Sequence, residues 1–340
     1  MTKSVYRQSL GRILDSVEAR DKSFLVTGAT GLIGSYMVDL LMMANERGAN
    51  NRVYALGRSG QRLRERFEEH LDSPLFHCIE QDVTHPLDNS LSFDFIIHGA
   101  SNADPASYAA HPVQTITTNL LGGINVLEYA AIHKGCRVIL LSTFEVYGQM
   151  DHDVYDESSV GILDFNLIRS GYPGSKRVIE TLARSYVSEY GIDARIARLA
   201  SIYGPTMLPG DSKAHAQFIR SAIEGKDIVL KSKGEQRRTY CYVADAVSGI
   251  LCALFRGAPG EAYNVSNENA IVSISGLARL IADIAGVSVV YDSPSDIERS
   301  GYSKPQNCIL DNGKLKSLGW EGRYTVSEGI RECLAVLGFN

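Results

Sequence analysis

The chain has 340 residues, of which 44% are hydrophobic and 21% charged, with a formal charge of −5. This is ample for one large domain or two modest ones around an apolar core. The mild acidic balance offers no basic face for nucleic acid, and no apolar run reaches the length of about 18 residues that a membrane span requires. An anionic small molecule held by a few local arginines remains open.

The first 20 residues lack the continuous apolar core of a signal peptide. Leu10, Ile13, Leu14 and Val17 fall at helical spacing, which predicts an amphipathic helical extension that packs on the domain or on a second subunit. Phe24–Thr27 then reads as a strand, Leu32–Met43 as a helix, and Arg52–Leu56, Phe76–Ile79, Phe93–His98 and Arg137–Ser142 as further strands. A long helix, Val113–His133, separates the last two. Strands alternating with helices predict a doubly wound α/β fold with a parallel sheet covered on both faces. A helix from Tyr172 to about Tyr190 and a strand at Ala194–Leu199 complete residues 21–200 as a dinucleotide-binding unit. Beyond them the pattern loosens into turn-rich stretches and helices near Ala214–Glu224 and Val243–Phe255. Residues 201–340 are therefore assigned mainly to a smaller substrate-facing region, with some segments returning to the first sheet.

Six cysteines, at 78, 136, 241, 252, 308 and 333, include no CxxC pair. They read as reduced thiols of a cytoplasmic protein, not as a metal site or a disulfide framework. Cys241 and Cys252 are expected to pack, and Trp320 to anchor the core near the C-terminus.

The segment from Thr27 to Gly34 follows the first strand and opens the first helix, with Gly28, Gly31 and Gly34 spaced as GxxGxxG. Such glycines allow a tight turn, close approach of backbone to a pyrophosphate, and close packing of helix on strand. The free amides of the helix start, around Thr30, Leu32 and Ile33, then face the phosphates. An acid closing the second strand binds the ribose hydroxyls of NAD. Here Gly57 stands in that place and Arg58 follows. The pair leaves room for a 2′-phosphate and offers it a bidentate partner, so NAD(P) is expected with NADP favoured. Asp82 and Val83, closing the third strand, are candidates for the adenine edge, although Asp82 suits a turn cap equally. Ala100 and Ser101 follow the fourth strand, where small residues let a cofactor pass.

Tyr172 and Lys176 are four apart, on one face if a helix begins there. Pro173 confines Tyr172 to the first turn. A phenol is a poor base at neutral pH, and an ammonium and a cationic nicotinamide nearby would favour the phenolate. Upstream, Thr143 ends a strand, where an open α/β sheet places its chemistry.

These motifs, in order TGATGLIG, TTNLLGGINVLEYA, STFEVYG, YPGSK, ARLASIYGP, RRTYCYVADAV and AYNVSNENA, span nearly the whole chain. Together they resemble the extended short-chain dehydrogenase/reductases that act as nucleotide-sugar epimerases, dehydratases and decarboxylases. The resemblance implies a Rossmann-like domain, a smaller C-terminal α/β domain, and a nucleotide sugar in the cleft between them. It implies Thr143 as the hydroxyl that bonds the reacting group, Tyr172 as general base, and Lys176 as the residue that orients the ribose and lowers the tyrosine pKa. It implies that Glu145 acts on the ring or its carboxylate, that Asn119 lies on the cofactor side, and that Arg238, of the adjacent Arg237 and Arg238, clamps the diphosphate. It also implies a homodimer through paired helices, the Tyr172 helix among them.

Three departures stand out. Phe144 occupies the place of the aspartic acid with which 4,6-dehydratases protonate the leaving hydroxyl. Ser201 replaces a substrate-contacting asparagine, and Gly57 replaces the ribose acid. Arg169, three before Tyr172, resembles the arginine of UDP-glucuronate decarboxylases. Transient oxidation at C4 followed by 4-epimerisation or decarboxylation is therefore expected. Dehydration and NADPH-dependent keto-sugar reduction are alternatives, and a non-catalytic dinucleotide-binding sensor is an alternative of another class.

Overall fold

The computed structural model describes residues 2–293 and 306–339. Seven strands form one parallel sheet: β1 (Ser23–Thr27), β2 (Arg52–Gly57), β3 (Phe76–Glu80), β4 (Phe95–His98), β5 (Arg137–Thr143), β7 (Asp193–Leu199) and β11 (Ala262–Val265). Their spatial order is β3-β2-β1-β4-β5-β7-β11, and every pairing is parallel. All five residues of β1 are buried, because helices cover both faces of the sheet. The order reverses between β1 and β4, the switch point where open α/β sheets bind ligands.

The helices follow from local signals. α2 (Leu32–Glu46) is apolar almost all round and buries eleven of its residues from Gly34 to Ala44. α4 (Pro105–Ala110) and α5 (Pro112–Ile132) each start with proline in the first turn, where its missing N–H costs nothing. α6 (Gly171–Tyr190) buries Tyr172, Ser175, Lys176, Ile179, Glu180 and Ala183, an i, i+3, i+4 stripe, and stops at Gly191 in the left-handed region. A Cβ on Gly123 of α5 would lie 2.3 Å from Ile179, so this glycine lets α5 and α6 pack closely.

The C-terminal half is layered differently. β8 (Ser201–Tyr203), β10 (Arg237–Tyr242) and β12 (Ile271–Ser273) form a second sheet, with β10 between the other two. Two small pairs accompany it, β9 (Ile228–Leu230) with β13 (Val289–Tyr291), and β6 (Val154–Tyr155) with β14 (Ile309–Leu310). α7 (Ala214–Ile223) and α9 (Ile274–Ala285) pack there, whereas α8 (Val243–Arg256) and β11 return to the large sheet. Trp320 is buried and donates its indole N–H to Ser248 Oγ at 3.0 Å.

Several boundaries differ from the sequence reading, α2 running on to Glu46 beyond Met43, and two of them have a visible physical cause. The N-terminal helix α1 (Lys3–Arg12) has Gly11 in its last turn and stops there, so Ile13, Leu14 and Val17 lie beyond it. Glycine weakens a helix end, and a short 3₁₀ helix, Leu14–Ser16, follows it. α1 lies against α2 and the C-terminal helix Val326–Val336, with the Tyr6 hydroxyl 2.6 Å from Asp39. At the second boundary, β4 begins at Phe95 rather than Phe93. The Phe93 amide donates to the Tyr129 hydroxyl at 3.2 Å and not to a strand neighbour.

Candidate active site

The glycine loop lies at the switch point. Gly28 has φ +68°, and a Cβ there would meet the backbone of Gly99 and Ala100 at 2.9 Å. A Cβ on Gly34 would lie 2.4 Å from the Gly28 carbonyl oxygen. Any larger residue would push the loop off β4 or α2 off the loop. Gly31 precedes α2, and no side chain caps that helix start. Thr30, Gly31, Leu32 and Ile33 are half-exposed, so the first amides of a 15-residue helix open on the crevice. This donor set and this clearance fit the pyrophosphate of a dinucleotide.

The residues around the loop are already engaged with one another. Thr27 Oγ1 lies 2.9 Å from His98 Nδ1 and accepts from the amides of Gly99 and Ala100. Burial, with Lys176 nearby, holds the His98 imidazole down at about 3, so it stays neutral. Ser101 donates to Asn119 Oδ1 at 2.7 Å, and Asn119 Nδ2 donates to Ser175 Oγ at 2.9 Å. Asn119 thus joins the end of β4 to α6. Asp82 caps a turn, accepting from the Thr84 amide and hydroxyl at 2.9 and 2.8 Å. Its neighbour Val83 is buried, with its carbonyl accepting from Asn125. Arg58 is exposed at the end of β2. The Glu80 carboxylate, opposite Gly57 on β3, sits against Gly60.

The second group of residues gathers at the carboxyl end of β5. Thr143 caps the short turn Phe144–Tyr147, accepting from the Glu145 amide at 3.3 Å. Glu145 receives Arg169 Nη2 at 2.8 Å, and both side chains are largely shielded from solvent. Arg169 Nε is buried with no hydrogen-bond partner among the described residues. Tyr172 is 7% exposed. Burial pushes its phenol well above the usual range, the Glu145 carboxylate adds to this, and a hydrogen bond with Thr143 opposes it. Lys176 is also buried, with its ammonium donating to the Leu141 carbonyl at 2.9 Å. Burial brings its pKa down to about 8, with Glu180 pulling the other way. Lys176 is expected from the sequence to lower the tyrosine pKa. In the chain alone, the loss of hydration at Tyr172 dominates instead.

A buried ionic network fixes α6 under this group. Arg198 on β7 pairs with Glu180, Nη2 to Oε2 at 2.8 Å, and its Nη1 donates to the Tyr147 hydroxyl at 3.1 Å. Tyr147 in turn donates to Asn264 at 2.6 Å, and Ser142 donates to Glu180 at 2.5 Å. A buried pair of this kind contributes alignment more than net stability.

Arg238 and Ser201 arrive from the second sheet. Arg238 is half-buried and Arg237 exposed, so the alternation of β10 turns only one of the two inward. The Arg238 guanidinium lies over the Phe144 ring, 5.6 Å from its centroid. Phe144, Ala200, Ser201, Arg238 and Cys308 line one small cavity. The structure therefore brings Thr143, Glu145, Arg169 and Tyr172 into one cluster, sets Lys176 one helical turn below, and brings in Arg238 through Phe144. Sequence reading missed Tyr108, whose ring stacks on Tyr172, and the contact of Phe144 with Arg238. The Asp104–Pro105 pair, an N-cap followed by a proline, was the available signal for α4 and hence for Tyr108.

The NAD dependent epimerase/dehydratase family profile matches residues 24–266. The chain belongs to that family. It is 35% identical over 310 residues to UDP-glucuronic acid decarboxylase 6 of Arabidopsis thaliana, covering 90% of this chain and 86% of that one. Among solved structures, the UDP-glucose 4-epimerase of Thermotoga maritima has 25% identity and a TM-score of 0.77, covering 92% of this chain and 97% of its own. The dTDP-glucose 4,6-dehydratase of Streptomyces venezuelae, solved with NAD bound, has 26% identity and a TM-score of 0.77, covering 92% and 96%. The parallel sheet covered on both faces and the epimerase/dehydratase family agree with the sequence reading. No helix among the described residues is long and apolar enough to cross a membrane.

Proposed function

We propose that this family member decarboxylates a nucleotide-linked uronic acid, with UDP-glucuronate as the first substrate to test. The observation that carries the reading is the Arg169–Glu145 pair, 2.8 Å apart and beside Tyr172. A guanidinium with a buried, unpartnered Nε is suited to a sugar carboxylate. The 35% identity to a UDP-glucuronic acid decarboxylase supports it.

The cofactor would be held by the Gly28–Gly34 turn and the start of α2, with Ala100, Ser101 and Asn119 beside it and Asp82 and Val83 towards the adenine. When bound, a nicotinamide dinucleotide would supply a positive charge and a hydride store, taking the C4 hydride and returning it once carbon dioxide has left, with Tyr172 giving back its proton, so that the net loss is one carbon dioxide. Tyr172 takes the proton of the C4 hydroxyl, which Thr143 steadies by a hydrogen bond. Lys176 holds the ribose side and keeps the base oriented. With C4 a ketone, the uronate is a β-keto acid and loses carbon dioxide, and Glu145, held by Arg169, manages the proton at C5. Arg238 clamps the diphosphate, and Ser201 borders the sugar. Phe144 cannot donate a proton, which disfavours elimination of the C6 hydroxyl.

NADP is favoured over NAD by Gly57 and the exposed Arg58. The Glu80 carboxylate at the same corner is the counterweight, and cofactor affinities of Arg58→Ala decide between them. We place the protein in the cytoplasm on its six unpaired cysteines. We also read it as a homodimer through α5 and α6, which expose Val113, Leu121 and Val178. The deciding experiment is mass spectrometry of products from UDP-glucuronate. A product lighter by one carbon dioxide supports the reading. A 4-epimer of unchanged mass overturns it in favour of epimerisation, for which the same Thr143, Tyr172 and Lys176 suffice.

A further inference from the structure

We infer that Tyr108 is a positioning residue whose ring holds Tyr172 and the Arg169 guanidinium in one alignment. The inference rests on the function proposed above. Tyr108 is 3% exposed yet belongs to neither of the two apolar clusters that make up the core. Its neighbours are functional groups. The ring stacks on Tyr172 with centroids 5.1 Å apart and planes 12° from parallel. Its hydroxyl accepts from Arg169 Nη2 at 3.4 Å, and the same nitrogen donates to Glu145 at 2.8 Å. The Arg169 guanidinium also lies 5.9 Å from the Tyr108 ring centroid. Burial keeps the Tyr108 phenol neutral, so it serves the guanidinium as an acceptor. One side chain therefore touches the candidate base on its face and the candidate carboxylate-binding arginine at its tip.

The ring is held from behind. Asp104 caps α4, accepting from the Ser107 amide at 2.9 Å with one oxygen. Its other oxygen accepts from the Ser212 amide and hydroxyl at 2.7 and 2.6 Å. The Ser212 hydroxyl also accepts from the Ala106 amide at 3.1 Å. Tyr108 thus stands on a short helix stapled to the segment that leads into α7, and it transmits the placement of the C-terminal layer to the Tyr172 ring. Proton abstraction tolerates little misalignment, so a group that fixes the base and the arginine together acts on turnover more than on binding.

Two variants separate the ring from the hydroxyl. Tyr108→Phe keeps the stack on Tyr172 and the ring's contact with the Arg169 guanidinium and loses only the hydroxyl bond, and Tyr108→Leu loses all of them. With UDP-glucuronate, Tyr108→Leu is expected to lower kcat about 10-fold or more while KM stays within about threefold. The acidic limb of its kcat profile is expected to move to lower pH, because Tyr172 loses part of the burial that raises it. Glu145, Thr143 and Lys176 around it are unchanged. Tyr108→Phe is expected to hold kcat within about threefold of wild type and to restore the pH limb. The ring-current shift of the Tyr172 aromatic resonances should persist in Tyr108→Phe and vanish in Tyr108→Leu, at matched melting temperatures. A Tyr108→Leu enzyme with wild-type kcat and pH profile overturns the inference. So does a Tyr108→Phe enzyme as slow as Tyr108→Leu, which would give the hydroxyl a direct role. If the wild type releases no carbon dioxide from the uronate, the proposed function falls. The ring-current comparison then decides alone, a shift that survives in Tyr108→Leu sinking the alignment and its loss supporting it.

Discussion

The turn from β1 into α2 and the cluster beyond β5 lie on the same edge of one sheet but are built on opposite terms. In the turn, the backbone itself is the device. The clearances that matter are the 2.4 Å and 2.9 Å at which a Cβ on Gly34 or Gly28 would meet other backbone atoms. In the cluster, the backbone is ordinary, and charged or phenolic side chains are assembled across long separations. Arg169 reaches Glu145 24 residues away and Tyr108 61 residues away. A backbone site depends on a few consecutive residues, whereas a side-chain site depends on every element that sets the reach of its members. The first tolerates almost no added volume, and the second is sensitive to the loss of one charge or ring.

The largest expected effect tests the side-chain region. Lys176→Met should reduce turnover about 10³-fold, within the range for a positioned acid–base system, as read from steady-state kcat. The same variant carries a stability signature. The folded pKa of Lys176, about 8, lies below its ordinary 10.5 because burial disfavours the charge. The unfolded chain therefore binds more protons between those values, and wild-type stability should rise as pH increases from 8 to 10.5. Denaturant unfolding of Lys176→Met across that window should lack this rise. An equal rise in both proteins would show that the lysine is not the source.

Next is Arg169→Met, which leaves the largely shielded Glu145 without its ion-pair partner. Carbon dioxide release should fall about 10²-fold, with dinucleotide affinity unchanged by fluorescence titration. A matching loss of dinucleotide affinity would dissolve the separation between the two regions. In the backbone region, Gly34→Ala should cost about 1–3 kcal/mol, because the new methyl has no space and its neighbours are backbone. Its melting temperature should drop and its dinucleotide Kd rise together. The smallest effect is expected at Arg58, exposed and at the rim. Arg58→Ala should weaken NADP about 10-fold and leave NAD unchanged. Equal affinities would assign the corner to Glu80 and to NAD.

The sheet was largely legible because its strands are short apolar runs between turn signals and helices, and their burial on both faces leaves no alternative register. β1, β2, β3, β5 and β7 lie within a residue of the sequence reading at each end. Two misses have identifiable causes. Phe93 looks like a strand residue, but the Tyr129 hydroxyl, 36 residues on, takes its amide. Leu14 and Val17 keep a helical spacing, but the α-helix stops at Arg12 and a 3₁₀ helix, Leu14–Ser16, takes over. The return of α8 and β11 to the large sheet is set by packing against β5 and β7, and no local pattern announces it.

At the site, the sequence by itself determined the glycine turn, the placing of Tyr172 and Lys176 one turn apart, and Thr143 at a strand end. Those features depend on spacing within a single element, where helix and strand periodicity fix geometry. Only the tertiary structure decided that Arg169 pairs with Glu145, that Phe144 lies against Arg238, that Asn119 is engaged by Ser101 and Ser175, and that Tyr108 lies on Tyr172. Each of these contacts joins separate segments of chain, and its existence depends on how sheets and helices pack. The same packing adds an influence on Tyr172 that spacing does not carry. Burial raises its phenol more than any neighbouring charge moves it, and burial is a property of the assembled fold that no run of residues contains.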